Sequence, residues 1–596
     1  MIEARFDDLT PGGVSFRLVG PVGVFEARRP DEVADVLEAA ESSAQRGLWV
    51  GGFVAYEAAP GLDPALEVRA REPGDPMADL PLAWFALFEG REETLLPEPR
   101  DGAPSSPAGG WLPSVDRPAY DAAIAEIHER IAAGDTYQVN HTLRLRSTVA
   151  GDERGLYRDL CFSQRGAYGA YLNAGRYRVC SASPELFFEL DGGRLTTWPM
   201  KGTAPRGRWP AEDEAIAGRL VASAKDRAEN AMIVDLLRND LGRVSRPGSV
   251  GWGEVFAAER YETVWQLTST VSSELEPGAG LAEVFRALFP SGSVTGAPKV
   301  RSMQIIAGLE DSPRGVYCGA VGLLAPPDRG PAARFNVAIR TVTVDGESGL
   351  AEYGVGGGIT WDSRAGSEYE EVVAKARVLT DRRPGFELLE TLLHEPGSGL
   401  RRLDRHLERL RGSAAYFGFT FDERAVREAL DAEGAAAGDR PARVRLLLDR
   451  AGRITTASMP LAAAPEPARL EIDQVPVDPG DVLLFHKTSR RERYEAARAR
   501  HPDADDVLLV NTRGEVTEST IANVAAQLGG RWITPPLAAG LLPGTERAAL
   551  LDDGTIEEGT LRPDDLRLAT ELRLMNATRP WRRAALAEAD ARTAPS

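Results

Sequence analysis

Hydrophobic and polar positions change period several times along this chain. Short apolar runs punctuated by glycine and proline, such as GLWVGGFVAYEA and LAWFALFEG, predict strands within residues 1–98. PEPRDGAPSSPAGG (97–110) carries neither period and reads as a loop. RPAYDAAIAEIHERIAAGD (117–135) has helical spacing, with Gly134 near its end. Residues 176–200 alternate and are rich in aromatics, which predicts strands, and 212–238 return to the helical period. TDRRPG (380–385) is a charged break, after which a second series of strand and helix patterns begins. The division that follows is 1–380, a linker at 381–385, and 386–596. Strands mix with helices without a βαβ rhythm, so both parts are expected to be α+β.

Composition narrows the function classes. The chain has 596 residues, 43% hydrophobic and 27% charged, and its net charge is 70 − 89 = −19. That length calls for two or more cores. No basic stripe interleaved with aromatics is present, so nucleic acid is not an expected partner. No apolar run reaches membrane-spanning length and no signal peptide opens the chain, so a membrane is not expected either. Three scattered cysteines (161, 180, 318) form neither a disulfide framework nor a zinc spacing, and a reducing cytoplasm is the expected setting. Neither GxGxxG after a strand nor a phosphate-binding GxxxxGK[ST] occurs.

Candidate chemistry starts with SASPELFFELDGGRLTTWPMKGT (181–203), two strand patterns joined by Asp191-Gly192-Gly193. Asp-Gly between apolar runs predicts a hairpin, which brings Glu185 and Lys201 to the same open end. A carboxyl group and an amine held there could act as general acid and nucleophile, provided the amine is kept neutral. A cross-strand ion pair at a sheet edge satisfies the same pattern. Asp226 and Glu229, in SAKDRAENAMIVDLLRNDLGRV, lie three apart on one helical face, as do Glu368 and Glu371 in SEYEEVVAKARVL. Two such faces could hold a divalent cation through oxygen, or simply be solvated. Between them, SGSVTGAPK (291–299), FNVAIRT (335–341) and YGVGGGI (353–359) offer close-approaching backbone and, in Arg340, a fork for a carboxylate.

This ordered set of motifs over roughly 115–380 resembles the chorismate-utilising enzymes, and the lysine in PMKGT resembles their aminodeoxychorismate synthase branch rather than anthranilate synthase, which has alanine there. The resemblance implies a β-sandwich with surrounding helices. It implies that Lys201 adds to C2 of chorismate while Glu185 protonates the departing 4-hydroxyl, with ammonia then entering at C4. It assigns Mg²⁺ to Glu229 and Glu371, with Asp226 and Glu368 alongside. Arg340, Gly356, Gly357, Gly358, Lys375 and Thr295 are assigned to substrate. No cysteine sits in a glutaminase context, so ammonia is expected free or from a separate glutamine amidotransferase subunit.

In 386–596, FELLETLL, HLERL, FHKT, VTESTIANV and GLLPGTER occur in that order. Lys487 ends an apolar run, a place that could desolvate an amine or merely face solvent, and Glu518 follows another. The series resembles the fold-type IV pyridoxal phosphate enzymes, an α+β fold that includes aminodeoxychorismate lyase and branched-chain and D-amino acid aminotransferases. By that resemblance Lys487 holds pyridoxal 5′-phosphate, Glu518 faces the pyridine nitrogen, Arg409 binds phosphate, and the PGTER turn supplies phosphate-binding backbone at Thr545 and Glu546. A homodimer through this part is compatible with the resemblance. The combined expectation is synthesis of 4-aminobenzoate in two steps. The alternatives are a synthase joined to an aminotransferase-like or non-catalytic domain.

Overall fold

The computed structural model describes residues 2–96, 110–149, 151–380 and 385–587. The loop read at 97–110 and the linker at 381–385 fall outside these residues except at Gly110 and Gly385. The described chain forms two compact units, Met1–Arg206 with Ile216–Gly385, and Gly207–Ala215 with Phe386–Ser596.

In the first unit, eighteen strands among the described residues join through antiparallel pairs. The expected hairpin is present: Leu186–Asp191 pairs with Arg194–Trp198, from Asp191 opposite Arg194 to Leu186 opposite Trp198. Gly192 and Gly193 both have positive φ, 55° and 83°. That is the two-residue turn whose twist suits a hairpin, and only residues without a Cβ adopt it without cost. Phe187 and Phe188, just after Glu185, anchor the strand in an aromatic core, with Phe188 5.3 Å and Phe285 5.1 Å from Phe335 between ring centroids. The helical stretch at 212–238 proves to be two helices, Pro210–Ala222 and Ala224–Gly242. Ser223 separates them, and its hydroxyl accepts a hydrogen bond from Asp226 N at 3.3 Å, so the second helix has its own N-terminal cap.

The second unit holds a four-stranded antiparallel sheet and an eight-stranded mixed sheet. Leucines of Leu388–Glu395 and Ala442–Leu448 pack with those of the helix Leu403–Phe417. The segment 207–215 belongs here, with Trp209 against Phe485 at 5.1 Å. Among the described residues no helix is long and apolar enough to cross a membrane.

Candidate active sites

Lys201 lies on the strand Met200–Pro205, which pairs with Val264–Glu274. Met200 stands opposite Thr268 but Thr203 opposite Gln266, so an extra residue bulges out at Lys201-Gly202. Gly202 has φ 98°, which a β-bulge of this kind requires. The bulge turns Lys201 out of register, and Asn230 pins it. Asn230 is fully buried, and its Nδ2 donates to Lys201 O at 3.1 Å and Leu267 O at 3.0 Å, while Ser269 Oγ donates to its Oδ1 at 2.6 Å.

The glycine strand Leu350–Ile359 runs antiparallel to Gln138–Thr148. A Cβ on Gly358 would overlap Gln138 Nε2 and stand 2.5 Å from Lys201 Nζ, so the amine rests directly on this backbone. A Cβ on Gly357 would meet Glu368, Glu371 and Lys375 at 3.5–3.7 Å, and one on Gly356 would overlap His141 O. Lys375 Nζ donates to Gly356 O at 2.8 Å and pairs with Glu371 at 2.6 Å. Arg340, in the left-handed region at φ 52°, donates to Lys375 O. That strain at a non-glycine residue is typical of a position held for function. Thr295 is fully buried and donates its hydroxyl to Ser291 O (3.2 Å), so it holds its turn; Ser293 is the neighbour that hydrogen-bonds Glu185.

Glu185 is buried, and burial pushes its carboxyl up to about 7, opposed by Ser293 and by the Lys201 charge. Lys201 keeps part of its surface open. Desolvation of its amine pushes the pKa down, helped by Lys375 and opposed by Glu229, Glu371 and Glu185. An acid that holds about half of its proton near neutrality thus lies within electrostatic reach of an amine biased towards its neutral form. Glu229 and Glu371 reach this amine from two helices, with Glu368 beside Glu371 and Asp226 against Gly202. Their hard oxygen donors suit Mg²⁺ in kind. Among the described residues, however, no three carboxylates or other ligands converge as a metal cluster, and Glu229 leans on Lys225 at 3.8 Å.

In the second unit a cavity of about 280 Å³ is lined by Lys487, Glu518, Arg409, Asn523, Gly544 and Thr545, among others. Burial pushes Lys487 down to about 8, with the Arg409 charge next in effect. Burial pushes Glu518 up to about 7. Glu518 is held by three donors: Tyr494 Oη at 2.9 Å, Asn523 Nδ2 at 3.2 Å and Leu542 N at 3.2 Å. Arg409 is less free than expected, because it forks onto the buried Glu390 at 2.9 and 2.7 Å and donates to Pro543 O at 3.0 Å. His406 continues this chain, with Nδ1 2.7 Å from Glu390 and Nε2 3.2 Å from Thr545 Oγ1.

The Glu546 side chain does not line the cavity; it is buried against Arg402 (2.7 Å) and Arg401 (3.2 Å). The contact expected of Glu546 is a backbone one, from the first turn of the helix Thr545–Asp552, and that side-chain pairing leaves it open. The residues lining the cavity fit pyridoxal 5′-phosphate. An amine and a carboxyl share one cavity, and Gly544, where a Cβ would overlap Asn523 Oδ1, opens the helix Thr545–Asp552 beside Arg409. Sequence reasoning missed Gln138, Asn230 and Ser293 in the first unit, and Glu390, His406, Tyr494 and Asn523 in the second.

A Lys–Glu pair on a glycine-floored sheet and a second, half-buried lysine in a cavity shared with a helix start define an enzyme-like chain with two lysine centres. The chain belongs to the chorismate binding enzyme family, whose profile matches residues 11–381; residues 387–586 match the amino-transferase class IV family. It is 42% identical over 313 residues to an aminodeoxychorismate synthase of Streptomyces griseus, covering 51% of this chain and 43% of that protein. It is 40% identical to aminodeoxychorismate synthase component 1 of Klebsiella aerogenes over 44% of this chain and 58% of that one. The chain thus spans about half the length of these curated relatives. The structure of anthranilate synthase component I from Streptococcus pneumoniae superposes with a TM-score of 0.54 at 25% identity, over 62% of this chain and 93% of that one.

Proposed function

We propose that the chain makes 4-aminobenzoate from chorismate in two steps, one in each unit. The observation that carries the first step is the Lys201 amine, seated on Gly358 by a glycine bulge and within electrostatic reach of a carboxyl whose pKa burial raises to about 7. Neutral Lys201 Nζ bonds to C2 of chorismate. The ring double bonds shift, and the C4 oxygen leaves as water with the Glu185 proton. Ammonia then bonds to C4, the double bonds return, and the C2–Nζ bond breaks. The net change is amine for hydroxyl, giving 4-amino-4-deoxychorismate and water. Arg340, Lys375 and the Gly356–Gly358 backbone hold the carboxylates. Mg²⁺ would be held by Glu229 and Glu371, with Asp226 and Glu368 near, where it would offset the substrate's negative charge. Relatives designated component 1 favour a separate subunit as the source of ammonia.

In the second unit Lys487 and Glu518 fit the two ends of pyridoxal 5′-phosphate, with Arg409, Gly544 and Thr545 at its phosphate. When bound, that group supplies an electron sink. Lys487, with a pKa near 8, removes the C4 proton and returns one to the departing enolpyruvyl group, so pyruvate leaves and the ring becomes aromatic. Tyr494 and Asn523 orient Glu518. The test is quenched turnover with chorismate at low ammonium, followed by peptide mass spectrometry. A gain equal to chorismate less one water on the Lys201 peptide is expected. Its absence while 4-amino-4-deoxychorismate still forms overturns the covalent step.

A further inference from the structure

One guanidinium in the first unit bonds to both halves of the Lys201 centre. The Arg314 side chain is only 1% exposed. Its Nη1 donates to Val294 O at 2.7 Å and its Nη2 to Asn140 O at 2.8 Å. Val294 follows Ser293, whose hydroxyl hydrogen-bonds Glu185. Ser291 Oγ lies 3.0 Å from Ser293 Oγ and can donate to it while Ser293 donates to the carboxylate. Asn140 stands opposite Gly358, the backbone on which the Lys201 amine rests. Asn140 N also donates to Thr295 O at 2.9 Å, so strand and turn meet at this residue twice. Arg314 is held in turn by the buried Glu310, which accepts from Nε at 3.0 Å and Nη2 at 2.7 Å, and by Glu57, which accepts from its backbone N at 2.7 Å. Glu310 also accepts from Thr142 N and Oγ1, on the strand beside the glycines. A planar fork of five donors serves two carbonyl groups and a carboxylate together; an ammonium, with three donors at one point, does not reach all four oxygens.

We propose that Arg314 is a positioning residue: by clamping the turn at Val294 to the strand at Asn140, it aims the Ser293 hydroxyl at Glu185. This rests on the reading of the first unit as the aminating one. The bonds of the guanidinium go to backbone carbonyls and Glu310, so it acts through the chain and not on substrate. The groups that face Glu185 are Ser293 from the turn, Lys201 from the bulged strand and Tyr261, just past the strand Gly251–Arg260. Of these, the Ser293 hydrogen bond and the Lys201 charge hold the carboxyl down against burial. Loosening the turn removes the first restraint, so the acid becomes weaker and its midpoint rises.

The experiment compares the full chain with Arg314→Lys, Ser293→Ala and the double variant. Lysine keeps the charge beside Glu310, so a change reports lost geometry. Folding is checked by denaturant unfolding; should Arg314→Lys not fold, Arg314→Gln/Glu310→Gln, which removes both buried charges together, takes its place. The rate of Lys201 adduct formation is measured without ammonia against pH and chorismate. Arg314→Lys is expected to slow it about ten-fold and to move its alkaline limb up by about one pH unit, the range of one hydrogen bond to a charged group, with the half-saturating chorismate concentration unchanged. Ser293→Ala is expected to do the same, and the double variant to lose nothing further, because both changes break one contact. An unmoved limb in either single variant, or losses that multiply in the double one, overturns the clamp. The Glu185 midpoint is also read without chorismate, by infrared difference spectra against Glu185→Gln. A midpoint that rises in Arg314→Lys when the wild type forms no adduct supports the clamp and sinks the covalent reading; an adduct with an unmoved midpoint sinks the clamp alone.

Discussion

Glu185 and Lys201 need opposite corrections from their behaviour in water, and burial supplies both. Desolvation disfavours charge, so it raises the acid to about 7 and lowers the amine. The signs give a bell-shaped profile. The neutral amine fraction grows as pH rises, and the protonated acid fraction shrinks as pH passes about 7. Formation of the Lys201 adduct, measured without ammonia so that its own titration does not intrude, should therefore fall on the alkaline side. Glu185→Gln should slow adduct formation by about 10²–10⁴-fold and remove that limb. An alkaline limb unchanged in Glu185→Gln would assign the proton to another group. Part of this was legible in advance, because the local hairpin closes at Leu186 and Trp198, just inside the two residues, although the strand that carries Lys201 pairs with Val264–Glu274. Ser293 and Gln138 were not: each reaches the site only by tertiary folding, from about a hundred and about sixty residues away along the chain. Nor was the side-chain pairing of Glu546 legible, because PGTER is local, whereas Arg401 and Arg402, which hold that carboxylate, come from 144 or more positions earlier.

The element that matters most is the bulged strand Met200–Pro205. Gly202→Ala must hold a side chain at φ 98° and set a Cβ 3.1 Å from Asp226 Cβ. It is expected to cost about 1–2 kcal/mol from the backbone alone and to displace Lys201. Asn230→Leu leaves two carbonyl groups without their donor and should destabilise by about 1–3 kcal/mol. Denaturant unfolding checks both. Adduct formation should drop in each variant even at temperatures where it remains folded, and full adduct formation in folded Gly202→Ala would show that the bulge does not aim the lysine. The Asp-Gly-Gly turn announced its hairpin because turn chemistry is local. The bulge did not, because it exists only against Val264–Glu274, more than sixty residues away. The break at Ser223 is a capping effect that helical periodicity alone runs straight through.

Across the whole molecule, two compact units each carry one amine with a lowered pKa, and the proposed product of one is the substrate of the other. The break near residue 385 could be read from composition. The placement of 207–215 with the second unit could not, since nothing in its local pattern records Trp209 against Phe485. If the two amines perform separate steps, each should fail alone. The most direct measurement gives Lys201→Ala and Lys487→Ala chorismate, ammonium, Mg²⁺ and pyridoxal phosphate, and identifies every ring product by mass. Lys487→Ala should accumulate 4-amino-4-deoxychorismate. Lys201→Ala should yield no aminated ring, yet release 4-aminobenzoate and pyruvate at the wild-type rate when that intermediate is supplied. Amination by Lys201→Ala at the wild-type rate, or 4-aminobenzoate release undiminished in Lys487→Ala, would contradict the account.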